Sequence, residues 1–379
     1  MEFDDEELED EDGEEDLLRD ASEERRPAHG AFGLCRKEQI PMYTQQFLTT
    51  GRLTTAYYRA GEGNSKKLLL IHGNVSSSVF YLPLFDELSR QFDVAAPDLR
   101  CFGGSDALPV DAGRGFRDWT DDLAEFVDAL GWDRFAIAGW SMGGCVAMQY
   151  AMDHGGQLTG IILINPGSPY GFGGTKGADG VMLDPPGLAS GGGCANAQLV
   201  QSLLTGEREF LRTTLNSVYF KPPFRMEPDW EERFIDEMLK TKVGDGMYPG
   251  DTRQVPQWPF VAAGDKGICN TMAPNHGNLS AFADAPAKPP VLWVRGDSDI
   301  MVSDTSLCDF GHLGQAGIVP GWPGADVIPP QPMVAQTRAV LERYAANGGR
   351  FQEQVLPGGH GCHLESPAEF IAAAAAFLA

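Results

Sequence analysis

Short apolar runs recur along this chain, several of them followed by stretches with helical spacing. That alternation restricts the fold more than any other feature of the 379 residues. Leu53 to Ala60, Leu68 to Ile71, Phe92 to Ala96, Phe135 to Ala138, Ile161 to Ile164, Val291 to Val294 and Phe351 to Leu356 read as strands. A helix is expected over 118–130, where Leu123, Phe126, Val127 and Leu130 share one face and Gly131 supplies the stop. Others are expected over 142–154 and over 334–347, the latter closed by Gly348-Gly349. The last helix should start with Ser366 as N-cap, Pro367 at its first position and Glu369 completing a capping box. Phe370, Ile371, Ala374, Phe377 and Leu378 would form its apolar face.

Strands that are apolar throughout, alternating with helices, imply an α/β fold with a mostly parallel, doubly wound sheet covered on both faces. Right-handed crossovers then bring the carboxyl ends of the strands to one edge, where such sheets bind ligands. The alternation stops between Asn165 and about Pro289, too long an interval for a loop in a compact domain. We expect core residues at 43–165 and 290–379, with 166–289 inserted as a cap. A second irregular stretch, about 306–332, is rich in Gly and Pro and reads equally as pocket wall or as a surface excursion.

The net charge of −24 is uneven: residues 1–26 hold fifteen acids against three arginines and account for half of it. Residues 1–30 are therefore expected to form a disordered acidic tail, either a solvating extension or a segment that docks on a basic partner. The rest has no basic excess with which to neutralise phosphates, which argues against nucleic-acid binding. No run approaches a membrane span, and the N-terminus lacks the basic and apolar regions of an export signal. Seven scattered cysteines without a C-x-x-C pair suggest free thiols in the cytoplasm and no metal site.

Gly139-Trp-Ser-Met-Gly143 lies between a strand and a helix, where a G-x-S-x-G turn would lift the Ser141 hydroxyl to the sheet edge. A serine hydroxyl needs a base within hydrogen-bond reach. Of the seven histidines, His360 follows the last strand on that same edge, and His363 is its rival. Asp297 and Asp299 both follow the strand ending at Val294, and strand alternation cannot separate them.

The order Ser141, acid, His360 resembles the α/β-hydrolases. So do His72-Gly-Asn74, which looks like their oxyanion loop, and Pro97 to Ser105. Gly296-Asp-Ser-Asp299 resembles their acid turn, and Gly359-His360 through Glu365-Ser-Pro367 their histidine segment. The resemblance favours Asp299 over Asp297 and His360 over His363. Cys101 departs from it, because many relatives have glycine there. It implies an oxyanion hole made by the backbone N–H groups of Asn74 and Met142. The H-G-N triplet also resembles haloalkane dehalogenases, whose asparagine helps hold halide. Those enzymes and epoxide hydrolases use an aspartate nucleophile, however, and this chain has serine.

The expectation is a cofactor-free serine hydrolase of a carboxylic ester or lactone, with Ser141, His360 and Asp299 as its triad. Amide or C–C bond hydrolysis on the same residues, and a non-catalytic receptor or lyase, are the alternatives. Trp140 is expected at the substrate pocket, with the Met142 side chain and Cys145 in the core. Among Tyr219, Phe220, Phe224, Trp230, Phe234 and Met238, one or two should meet substrate. The substrate is expected to be a small molecule of medium size, largely apolar and uncharged, with Arg212, Lys221 and Arg225 as candidate anchors for an acidic one.

Overall fold

A computed structural model of the chain describes residues 43–379. The segment expected to form the acidic tail lies outside the described residues.

An eight-stranded sheet organises the fold. Its strands are β1 (Gln46–Thr49), β2 (Thr54–Ala60), β3 (Lys66–Ile71), β4 (Phe92–Pro97), β5 (Phe135–Trp140), β6 (Leu158–Ile164), β7 (Val291–Gly296) and β8 (Phe351–Leu356). They run in the order β1-β2-β4-β3-β5-β6-β7-β8, with β1 and β2 antiparallel to their neighbours and all other pairs parallel. Among the described residues, five helices pack with this sheet, α1 (Leu82–Leu88), α2 (Arg117–Ala129), α3 (Met142–His154), α4 (Met333–Ala346) and α5 (Pro367–Phe377), together with the 3-10 turn Ser280–Asp284. The turn lies against α3 and α4, α2 packs on α3, and α1 packs on α5. Cover on both faces explains why β4 and β5 are buried along their whole length.

Parallel register aligns the strand ends that matter. Ile71 pairs with Gly139, Trp140 with Ile164, Ile164 with Val294, and Gly296 with Leu356. The turns after β3, β5, β7 and β8 therefore share one edge. Between β6 and β7 the chain leaves the sheet and forms α-helical pieces at Ala197–Thr205, Arg208–Thr214 and Pro228–Met238.

Two expectations need correction. β8 is not apolar throughout: Gln352, Gln354 and Val355 are exposed, because β8 pairs only with β7 and forms the sheet's edge. The last helix has Pro367 at its first position, but no capping box forms. Ser366 instead donates its hydroxyl to Pro357 O at 2.8 Å, tying the helix start to the turn that carries His360.

Candidate active site

The elbow after β5 is shaped by backbone crowding. Ser141 has φ 57° and ψ −121°, outside the ordinary regions for a residue with a side chain. Its flanking glycines answer a steric demand. A Cβ on Gly143 would lie 2.3 Å from Ile71 O and 2.5 Å from His72 O, and one on Gly139 would lie 2.1 Å from Gly143 O. The turn puts Ser141 at the N-terminus of α3, where unpaired N–H groups favour negative charge.

His72 fixes the neighbouring loop. Its Nε2 accepts the Leu99 N–H at 3.0 Å, so the ring proton resides on Nδ1, which donates to Gly73 O at 2.8 Å. Ser76 Oγ donates to the same carbonyl at 2.9 Å. In a trans peptide the carbonyl of Gly73 and the N–H of Asn74 point opposite ways, so fixing one orients the other. Burial pushes the His72 pKa down to about 4 and keeps the ring neutral. Neither Asn74 N–H nor Met142 N–H donates to a protein group among the described residues, and both residues line the same cavity as Ser141.

His360 Nδ1 donates to Asp299 Oδ2 at 2.8 Å. The other carboxylate oxygen accepts the N–H groups of Met301 at 2.7 Å and Val302 at 3.0 Å, which locks the acid's orientation. The His360 carbonyl accepts from Trp140 Nε1 at 2.8 Å and from Asn165 Nδ2 at 2.7 Å. Asn165 Oδ1 also accepts the Gly296 N–H, so one buried amide joins the ends of β6, β7 and the histidine turn. Glu365 accepts the N–H of Gly359 at 2.7 Å and that of Lys221 at 2.8 Å. Among the described residues no hydrogen bond joins Ser141 Oγ to the His360 ring; the two are walls of one cavity.

The rivals lie elsewhere. Asp297 accepts from Ser298 Oγ, from Gly358 N–H and from Lys221 Nζ, and the Ser298 bond foremost holds its pKa low. His363 is fully buried among Trp140, Tyr81 and Phe370, and neither ring nitrogen has a partner among the described residues. Burial, with His360 adding to it, lowers its pKa to about 3.

The cavity has a volume of about 510 Å³, and among the described residues no Asp, Glu, Lys or Arg lines it. Residues 166–289 contribute Phe210, Val218, Tyr219 and Met272 to its wall. Residues 306–332 contribute Leu307, Phe310 and Val319, so that stretch is pocket wall rather than an excursion. Trp140 lines it as expected, and so does Met142, which is also buried in the core. Of the six expected aromatic and methionine candidates only Tyr219 reaches it. Phe234 is instead stacked on Phe80. Arg212 and Arg225 pair with Glu231, and Lys221 pairs with Asp297. Sequence reasoning passed over Asn165 and Tyr248. Asn165 at least had a signal, as a polar residue directly after a buried strand that ends on the active edge.

Fold and site together define an α/β-hydrolase, and the chain belongs to that family: its sequence profile, alpha/beta hydrolase fold, matches residues 66–316. Among named proteins it is similar to epoxide hydrolase 3 of Xenopus tropicalis, 30% identical over 31% of this chain and 32% of that one. It is also similar to haloalkane dehalogenase 2 of Mycobacterium tuberculosis, 34% identical over 27% of this chain and 36% of that one. The matched stretches thus span about a third of the length of these curated relatives. Over most of the chain the fold resembles the crystal structure of the enol-lactonase from Burkholderia xenovorans LB400. The TM-score is 0.56 at 17% identity, covering 88% of this chain and 99% of the other.

Proposed function

We propose that this chain is a serine hydrolase of neutral carboxylic esters or lactones. The observation that carries the reading is a serine at a strained strand-to-helix turn, on the wall of an uncharged cavity that also holds the oriented His360–Asp299 pair. His360 Nε2 takes the Ser141 Oγ proton as that oxygen attacks the carbonyl carbon. The N–H groups of Asn74 and Met142 receive the resulting oxyanion. Collapse of the tetrahedral species breaks the bond to the leaving oxygen, which takes the proton from His360. Water then attacks the acyl-enzyme, giving its proton to His360, and as this second tetrahedral species collapses to the free acid Ser141 Oγ leaves and takes that proton back. Asp299 stabilises the imidazolium formed in each half-reaction.

Residues 166–289 act as a cap. Together with the 306–332 stretch they enclose the reacting atoms and limit water, which strengthens the oxyanion contacts. The two named relatives hydrolyse other bonds, but serine at 141 favours acyl transfer over the aspartate chemistry that the family resemblance associates with them. A cavity without a charged wall favours neutral substrates, because a buried carboxylate there would lack a cationic partner.

The test is a panel of neutral esters, lactones, anilides and β-diketones, together with carboxylate-bearing esters of matched leaving group. Wild type should hydrolyse neutral esters or lactones best, and Ser141→Ala should lose at least about a thousandfold in kcat. Faster turnover of the diketones, the anilides or the carboxylate esters contradicts the assignment.

A further inference from the structure

Most polar side chains on the cavity wall are already engaged by the protein. Thr214 Oγ1 donates to Phe210 O, Asn196 Oδ1 accepts the N–H groups of Gln198 and Leu199, and Tyr219 donates its hydroxyl to Asn74 O at 3.0 Å. Two groups differ. Tyr248 is only 2% exposed and lines the cavity, yet its hydroxyl has no hydrogen-bond partner among the described residues. Among the described residues the amide nitrogen of Asn74 has only Cys269 Sγ, at 3.9 Å, and a thiol sulfur is a weak acceptor.

The two groups belong to one neighbourhood. Ile268 N–H donates to Met247 O and Cys269 N–H to Pro249 O, so the segment bearing Tyr248 is bound to the one bearing Cys269. Cys269 Sγ in turn approaches Asn74. Tyr248 is also pinned along its own backbone: its N–H donates to Lys242 O and its carbonyl accepts from Gly244 N–H. A hydroxyl on the cavity wall that has no protein partner among the described residues is free to donate to a ligand oxygen. Burial raises the phenol's pKa well above its ordinary value, so at neutral pH it remains an O–H donor.

We propose that Tyr248 and the Asn74 side-chain amide form a second polar subsite, which hydrogen-bonds a substrate oxygen other than the scissile carbonyl. The preferred substrates are then neutral esters or lactones with an additional ketone, ether or hydroxyl oxygen near the reacting carbonyl. Proximity follows from Asn74, whose backbone N–H is assigned to the oxyanion while its side chain belongs to the subsite. A wholly apolar acyl group leaves both donors unpaired, and sites built to pair a polar group reject analogues that lack it. This inference rests on the serine-hydrolase reading.

The experiment compares kcat/KM for phenyl hexanoate and its 3-oxo, 4-oxo and 5-oxo analogues, in wild type and in Tyr248→Phe, with melting temperatures alongside. Wild type should prefer at least one oxo ester by about tenfold or more. In Tyr248→Phe that ratio should fall toward one, without a lower melting temperature. A purely structural tyrosine would reduce turnover of all four esters alike and leave the ratio intact, which overturns the subsite. A wild-type ratio near one overturns it as well. Failure of wild type to hydrolyse any of the four contradicts the ester reading itself, and the subsite with it.

Discussion

Asp299 Oδ2 lies 2.8 Å from His360 Nδ1, with the two side chains 3% and 2% exposed. The carboxylate accepts two backbone N–H bonds besides, which resist its turning away, and among the described residues His360 Nε2 has no partner, as the proposed proton transfer requires.

Asp299→Asn should therefore cost about a thousandfold or more in kcat, because an amide there tolerates the wrong histidine tautomer. Asp297→Asn, which loosens a surface contact to Lys221, should change kcat by less than about threefold. Steady-state kinetics on any accepted ester decide it. Equal losses in the two variants contradict the assignment of Asp299.

Gly143→Ala tests the elbow's steric logic. The added Cβ meets two β3-end carbonyls at 2.3 and 2.5 Å, and backbone carbonyls cannot yield as a flexible side chain would. The variant should lose about 3 kcal/mol or more of stability. Denaturant titration reads this directly, and a loss below about 1 kcal/mol contradicts the close approach.

His363 makes stability depend on acid. Unfolded, the ring titrates near its ordinary value of about 6.5. Folded, burial holds its pKa down to about 3. Between those values the unfolded chain binds a proton that the folded chain refuses, so stability is lost as pH falls through that window. Each pH unit costs about 1.4 kcal/mol from this one ring. His72, with its pKa lowered to about 4, acts in the same direction. His363→Leu should flatten the acid limb by about that slope between pH 6 and 4. Unchanged slopes in urea titrations across that range contradict a neutral buried His363.

The parts of the fold that were legible in the sequence were those where a local pattern and the tertiary demand coincide. Phe351–Leu356 and Met142–His154 match the expected bounds because one is fenced by Gly349 and Pro357, and the other starts at the elbow serine. Asp297 and Asp299 were inseparable by alternation, since residues two apart share a side of a strand. The turn after β7 separates them by giving one to Lys221 and the other to His360. Cys101, which departs from the family's glycine, has φ 72°. It holds that left-handed conformation with Sγ donating to Leu108 O at 2.9 Å and its N–H to Asp106 O.

The cavity wall was the least legible part. The segments bearing Tyr248 and Cys269 are joined by backbone bonds between a loop and a single helical turn, both too short to carry a periodic pattern, so nothing local announces them. The candidates Tyr219, Phe220, Phe224, Trp230 and Phe234 were legible only as a set, of which Tyr219 lines the cavity and the others do not. Apolar spacing marks a buried face without saying which cavity or core it faces, and Phe234 went to Phe80.

The central claim is that Ser141 is the nucleophile, and covalent trapping with a fluorophosphonate measures it most directly. Intact-mass analysis should show one phosphonyl adduct per chain, and peptide mapping should place it on Ser141. Labelling should vanish in Ser141→Ala and slow by orders of magnitude in His360→Ala. An unlabelled wild-type protein that still turns over ester, or an adduct mapped to another residue, contradicts the account.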